Sequence, residues 1–184
     1  MVDGRATPVL HVSQIAEALG MPPPPGRSPA EEGDEALGVL RAWIDTVRGD
    51  APWDALLEPT PARGRSLREL TVNVFHPFEL LPAAWSSGRF LWHPEDDGSR
   101  EQRLDSLEDL LVFAGAAADG WQAFLEEGHD GDRDVESPRG LVRFSSLIAF
   151  QRWHAAYHYR QLVHVLGAED RLELEGFALP RDVF

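Results

Sequence analysis

The sequence predicts an all-α fold, an antiparallel four-helix bundle with an N-terminal proline-rich arm. Four segments each combine a helix-starting cap with apolar residues that recur at helical spacing. The chain has 184 residues, of which 43% are hydrophobic and 26% charged, and this size and composition suit one globular domain. We therefore expect residues 1–28 to form the arm and residues 29–184 to form the bundle, with helices crossing at about 20°.

The arm combines a short helix signal with a strong break. Residues 13–20 begin with a serine cap and end with a glycine stop, and residues 22–25 are four consecutive prolines that favour an extended polyproline conformation. We expect the arm to pack on the bundle, to reach a partner subunit, or to remain a partly ordered tail.

Helix 1 is predicted to begin at Ser28, where a cap is followed by Pro29 at the first helical position, and to end near Gly49. Glu31 and Glu32 suit the positive end of its dipole. The apolar residues that recur on one face of this segment are Leu37, Leu40, Ile44 and Val47.

Helix 2 follows a loop of residues 50–65 that is rich in Pro, Gly and Arg. Ser66 and Glu69 form a capping box at its start. Pro77 lies within the helical pattern and removes the hydrogen bond to the carbonyl of residue 73, so we expect a kink or a break there. The predicted buried residues of helix 2 are Leu67, Leu70, Val74, Phe78 and Leu81.

Helices 3 and 4 are separated by an acidic segment. Residues 85–105 form a long connection without periodicity, of the kind that often carries function, and Ser106 then caps a helix that ends at Gly128. Residues 129–136 lack the glutamate that a calcium loop needs at its twelfth position, so we expect a solvated turn. Helix 4 is predicted to begin near Ser145 or Ser146 and to end at Gly167.

Helix 4 carries the strongest chemical signal of the chain. His154 and His158 are four residues apart, so their imidazoles lie on one helix face within reach of a common metal ion. The HExxH helix of zinc proteases has the same spacing, but its glutamate position is Ala155 here, which excludes that class. A histidine pair also occurs by chance on helices, where it takes a core or surface role.

The sequence HAAYHYRQL at residues 154–162 resembles the HxxxHxRQL signature of the DinB family, also described as DinB/YfiT-like metalloenzymes. The resemblance extends from about Ser66 to GFALP at residues 176–180. It implies a four-helix bundle, a homodimer, and a three-histidine site for zinc, nickel or a similar divalent ion. Characterised members include low-molecular-weight thiol S-transferases and maleylpyruvate isomerases that use mycothiol, so the resemblance also implies a small-molecule substrate and an exogenous thiol.

The resemblance places a metal-binding histidine of the second helix where this chain has Asn73. His76 comes about one turn later on the same face and is a candidate displaced ligand. Asn73 is alternatively a weak oxygen ligand, or the site is empty. The predicted metal ligands are therefore His154 and His158, together with His76 or Asn73.

The expected chemistry follows from such an ion, which would act as a Lewis acid on a bound water or an exogenous thiol. The expected activity is thiol transfer or hydrolysis. Glu79, one turn beyond His76, is a candidate proton acceptor, while Arg160 and Gln161 follow the family pattern. We assign Glu79 and Arg160 to catalysis and Gln161 to cofactor binding. The alternative is a non-catalytic bundle with a degenerate metal site that binds a small ligand or a protein partner.

Composition excludes several classes of function. The net charge of −14, from 31 acidic and 17 basic residues, argues against a nucleic-acid partner. Cysteine is absent, and all 17 basic residues are arginine, which excludes thiol nucleophiles, thiolate-bound zinc, Schiff-base chemistry and the P-loop lysine. No apolar run approaches the roughly 20 residues of a membrane span, and the N-terminus lacks the apolar region of a secretion signal. We expect a cytoplasmic protein without a membrane partner.

Overall fold

Helices dominate the described part of the chain. The computed structural model describes residues 28–60, 64–93, 97–129, 132–138 and 140–172. These residues are mostly helical and include one small two-stranded sheet, which confirms the prediction of a mainly α-helical fold. Within them, no helix has the length and apolar character needed to cross a bilayer. The predicted arm, apart from Ser28, and the tail beyond residue 172 lie outside the described residues.

The described elements include four long helices, two short helices and a hairpin. In chain order they are α1 Pro29–Asp50, α2 Trp53–Leu57, α3 Leu67–Ser87, α4 Asp97–Glu101, α5 Leu107–Glu126, β1 Asp134–Ser137, β2 Gly140–Arg143 and α6 Phe144–Leu166. The long helices begin within two residues of the predicted positions. The short helices α2 and α4 lie in segments that the sequence predicted to be loops.

The predicted caps start three of the long helices. At α1 the Ser28 side chain accepts a hydrogen bond from the Glu31 N–H at 3.2 Å, and the Glu31 carboxylate accepts from the Ser28 N–H at 2.7 Å. Ser66 and Glu69 form the same reciprocal pair at α3, and Ser106 caps α5. Each cap satisfies an N–H group that the first helical turn leaves without a partner, which stabilises a helix by about 1 kcal/mol.

The four long helices pack in a closed ring of contacts, in which α1 and α3 each contact both α5 and α6. The predicted apolar residues of α3 are all buried in the core, whereas Leu37 of α1 is only partly buried at its edge. Trp43 and Trp121 are fully buried, and their indole N–H groups donate to the Thr71 hydroxyl and the Gly33 carbonyl, each at 3.1 Å. The core therefore satisfies the polar atoms of its largest side chains.

Pro77 does not break α3, which continues through Pro77 and Pro82 to Ser87. Every residue from 70 to 78 is buried. Burial of the helix on several sides offsets the missing hydrogen bond, because tertiary packing supplies most of the stability of a helix in a protein. Asn73 and His76 consequently remain on one continuous helix.

A β-hairpin occupies part of the segment that was predicted to be a solvated acidic turn. Val135 pairs with Val142 across the two antiparallel strands, and both side chains are buried. Glu136 exchanges backbone hydrogen bonds of 2.8 and 2.7 Å with Gly88 and Phe90, which attaches the hairpin to the segment after α3. Each strand has only four residues, which is too short to give a clear alternation in the sequence.

Candidate functional site

A cavity of about 490 Å³ lies between α6, the hairpin and the segment that follows α3. Its wall contains both histidines of the predicted clip and Asn73 from α3. The aromatic residues of the wall are Phe90, Trp92, Phe150, Trp153 and Tyr157. A cavity of this size with apolar walls and a few polar groups is typical of small-molecule sites.

The α6 wall follows from helical spacing, since residues three and four apart share a face. The rings of Phe150 and His154 are nearly parallel, with centroids 6.2 Å apart. The rings of His154 and His158 are perpendicular, with centroids 4.7 Å apart, and both histidines are buried. The packed aromatic and imidazole rings restrict the orientation of the clip.

Asn73 connects the clip to α3. Its side-chain oxygen Oδ1 lies 3.1 Å from Nε2 of His154, and its Nδ2 group donates to Oδ2 of Asp97 at 2.9 Å. Because a carboxylate accepts hydrogen bonds and does not donate them, Asp97 fixes which end of the amide faces His154. The Nε2–H group of His154 therefore donates a hydrogen bond to the oxygen of Asn73.

Asp97, the first residue of α4, is the centre of the polar network beside the cavity. It is only 3% exposed, and it accepts hydrogen bonds from Nδ1 of His76 at 2.7 Å, from Asn73, and from Nε1 of Trp92 at 3.2 Å. Burial by itself raises the pKa of Asp97. The hydrogen bonds from His76, Asn73 and Trp92, together with the charge of His76, outweigh burial and hold the pKa below its usual range. Asp97 is therefore a buried, ionised carboxylate at neutral pH.

Gln161 sets the orientation of the second clip histidine. Nδ1 of His158 donates to Oε1 of Gln161 at 3.0 Å, and both side chains are buried. An imidazole that donates through Nδ1 carries its lone pair on Nε2 when neutral, and metal-binding histidines are commonly held in this way. The residue assigned to cofactor binding thus contacts His158.

The other predicted site residues lie apart from this cavity. His76 is buried against Asp97, and neither His76 nor Arg160 is among the lining residues. Glu79 is partly exposed and forms an ion pair with Arg100 at 2.7 Å. In the part of the chain that the structure describes, no three His, Cys, Asp or Glu side chains form a group able to hold a metal. The residues that converge are two histidines and an asparagine.

Sequence reasoning did not identify Asp97, Trp92 or Gln151 as site residues. The long connection before α5 was expected to carry function, and it supplies both Trp92 and Asp97. Gln151 lies one turn before His154 in sequence and lines the same cavity. Gln151 could have been predicted from its helical spacing to His154. No local pattern in the sequence indicates Asp97.

Comparison with known proteins gives no match to this chain among family models, curated proteins or solved structures. The likeness to the DinB family therefore rests on the motifs in the sequence. The assignment of function rests on the cavity and on the side chains around it.

Proposed function

We propose that this protein is a divalent-metal-dependent enzyme of the DinB type, a thiol S-transferase or a hydrolase, which binds zinc or nickel through Asn73, His154 and His158. The observation that carries this proposal is that the three side chains meet at one cavity, although Asn73 is 81 residues from His154 in sequence. The small-molecule substrate would occupy the remainder of the same cavity. His76, Glu79 and Arg160 have no direct role in this version of the site.

The separation of Asn73 and His154 supports a fit between these two residues and an ion. Two ligands at about 2.1 Å from one ion, at angles between 90° and tetrahedral, lie about 3.0–3.4 Å apart. Oδ1 of Asn73 and Nε2 of His154 are 3.1 Å apart. This separation allows a hydrogen bond between the two side chains when no ion is bound. It also lies within the range expected between two neighbouring ligand atoms of one ion. For His154 to bind an ion through Nε2, its proton must move from Nε2 to Nδ1.

The hydrogen bonds around these three residues also suit a metal site. Gln161 holds His158 through Nδ1 at 3.0 Å, so Nε2 carries the lone pair. Asp97 holds the Nδ2 group of Asn73 at 2.9 Å, which leaves Oδ1 as the atom that faces the clip. Groups behind the ligands that fix their orientation commonly increase metal affinity 10–100-fold.

The chemistry expected of such a site is Lewis-acid catalysis, in which a bound ion lowers the pKa of a water molecule or of an exogenous thiol. The protein has no cysteine, so a thiol would have to be supplied by a small molecule. The aromatic wall would exclude water and hold the apolar part of the substrate. The thiol class is proposed on the resemblance alone.

The architecture proposed for this enzyme is an antiparallel four-helix bundle. The closed ring of contacts among α1, α3, α5 and α6 supports it. The resemblance supports a homodimer, and a cytoplasmic location is part of the same proposal. The net charge of −14 argues against a nucleic-acid partner.

A second candidate function is non-catalytic binding of a small ligand at the same cavity. It is favoured by the chain of hydrogen bonds from His154 to Asn73 to Asp97, which satisfies these groups without an ion. The two candidates share the cavity but differ in whether the protein needs a metal. A metal-dependent activity separates them.

The test begins with protein purified without chelator. We expect stoichiometric zinc or nickel by elemental analysis, and a rise in melting temperature of about 5 °C or more when metal-free protein receives ion at 100 times the Kd. Loaded protein is then incubated with mycothiol, bacillithiol or glutathione and electrophilic substrates. Activity that disappears in His154→Ala and His158→Ala supports the enzyme, activity that survives both excludes the metal mechanism, and inactivity with every thiol and substrate favours the binding protein.

A further inference from the structure

The wall of the cavity differs in charge from the rest of the protein. The chain has 31 acidic residues and a net charge of −14. Nevertheless, none of the described residues that line the cavity is Asp or Glu, while Arg65, His93, His154 and His158 all line it. Asp97, which accepts hydrogen bonds from the lining residues Asn73 and Trp92, also accepts one from His76 and is buried. Among the described residues, the wall therefore offers several hydrogen-bond donors and no carboxylate.

Arg65 supplies a permanent positive charge at this wall. It lies just before α3, where its carbonyl accepts a hydrogen bond from the Thr60 N–H at 2.8 Å, and its side chain is exposed. Its charge only partly opposes the raised pKa of Glu101, which burial causes, and it forms no ion pair with a carboxylate of the described residues. By contrast, Arg89 and Arg100 are paired with Glu136 and Glu79 at 3.1 and 2.7 Å. A guanidinium without such a partner at a cavity wall favours an anionic ligand.

The aromatic residues define the second property of the ligand. Phe150, Trp153 and Tyr157 are spaced along one face of α6, and the rings of Trp153 and Tyr157 stack with centroids 5.6 Å apart. Phe90 and Trp92 contribute to the wall from the segment after α3. Aromatic walls of this kind favour planar apolar groups, which stack on them with ring centroids about 4.5–7 Å apart.

We propose that the cavity binds an organic monocarboxylate with a planar apolar body, and that Arg65 pairs with the carboxylate. Arg65 is the one permanent cation among the described lining residues, and it matches one negative charge. This inference deepens the proposed function, because it names the ligand class of the same cavity, and it rests on that proposal only for the location of the site. The pairing with Arg65 does not require a metal ion.

The test compares two probes of the same shape, 2-naphthoate and the neutral 2-naphthamide, by calorimetry on chelator-treated protein at low salt. We expect 2-naphthoate to bind about tenfold more tightly, because a hydrogen bond to a charged group contributes about 1.5 kcal/mol or more. Arg65→Gln should reduce this preference to about twofold or less. Arg65→Lys should keep part of it, and Arg103→Gln, at an exposed arginine outside the cavity wall, should leave it unchanged.

Three outcomes would overturn the proposal. They are equal or tighter binding of the amide, failure of both probes to bind at millimolar concentration, and full retention of the preference in Arg65→Gln. Circular dichroism checks that each variant is folded. Because these titrations use metal-free protein, a failure here is distinguishable from a failure of metal binding, which is measured separately by elemental analysis.

Discussion

Oδ1 of Asn73 lies 3.1 Å from Nε2 of His154, and this pair joins α3 to the histidine clip of α6. In the proposed metal site this contact favours Asn73 as the third ligand, because the His76 side chain contacts Asp97 instead. The proposed ligand set is therefore two histidines and one amide oxygen, whereas the resemblance implies three histidines. An amide oxygen is a weaker ligand for zinc than an imidazole, so we expect modest affinity.

Substitution of His76 separates the two candidate third ligands. His76→Gln should change the zinc Kd by less than about threefold, because this side chain contacts Asp97 and does not line the cavity. His158→Ala should weaken zinc binding at least about 100-fold, because it removes a proposed ligand. Competition with a chromophoric chelator measures both constants. If both variants lose zinc affinity equally, His76 is a metal ligand.

Asp97→Asn tests the group that orients Asn73. The variant replaces a carboxylate that accepts from His76, Asn73 and Trp92, so at least one of these donors loses its partner. We expect a loss of about 2–3 kcal/mol in the free energy of unfolding and a zinc affinity 10–100-fold weaker. Urea unfolding measures the stability and chelator competition measures the zinc affinity. Asp105→Asn, at an exposed aspartate, is the matched control. If Asp97→Asn keeps the stability and the zinc affinity of the wild type, the hydrogen bonds to Asp97 contribute to neither.

The helices were predictable because their signals are local. The Ser28–Glu31 and Ser66–Glu69 caps join residues three apart, and the clip joins residues four apart, so sequence spacing alone predicts both. Asp97 could not be predicted in this way. It contacts Asn73 and His76 at sequence separations of 24 and 21, and only the tertiary packing of α4 against α3 brings them together.

The hairpin and the helix across Pro77 also depend on tertiary contacts that the local sequence does not reveal. Val135 and Val142 are the only buried apolar residues of these two four-residue strands, which give almost no periodic signal. Pro77 gave a strong local signal for interruption of the helix, but the packing of α3 against α5 and α6 maintains the helix across it. In both places, tertiary contacts outweighed local preference.

Glu101→Gln should stabilise the protein at neutral pH. Burial, followed by the charges of Glu69 and Asp97, raises the pKa of Glu101 above its usual 4.5, although Arg68 and Arg65 oppose this shift. A carboxyl group with a raised folded-state pKa costs stability when ionised, and this cost is relieved as the pH falls through that pKa. We expect the variant to melt about 1 °C higher at pH 7, a small effect because the site is partly solvated. The difference should vanish below pH about 4, and a larger advantage at acid pH would contradict the assignment.

Asn73→His is the most direct test of the candidate site. An imidazole at this position could donate one ring N–H to Asp97, as the Asn73 amide does now, and present its other nitrogen to His154 and His158. This would create three histidine ligands, one of them held by a buried carboxylate, an arrangement common at zinc sites. We expect zinc affinity to rise at least about tenfold, and the heat-denaturation midpoint at a fixed zinc concentration to rise with it. Asn73→Leu, which removes the oxygen without adding a ligand, should instead lower the affinity below that of the wild type. If both variants bind zinc as the wild type does, Asn73 is not a ligand and the clip histidines do not meet a third group from α3.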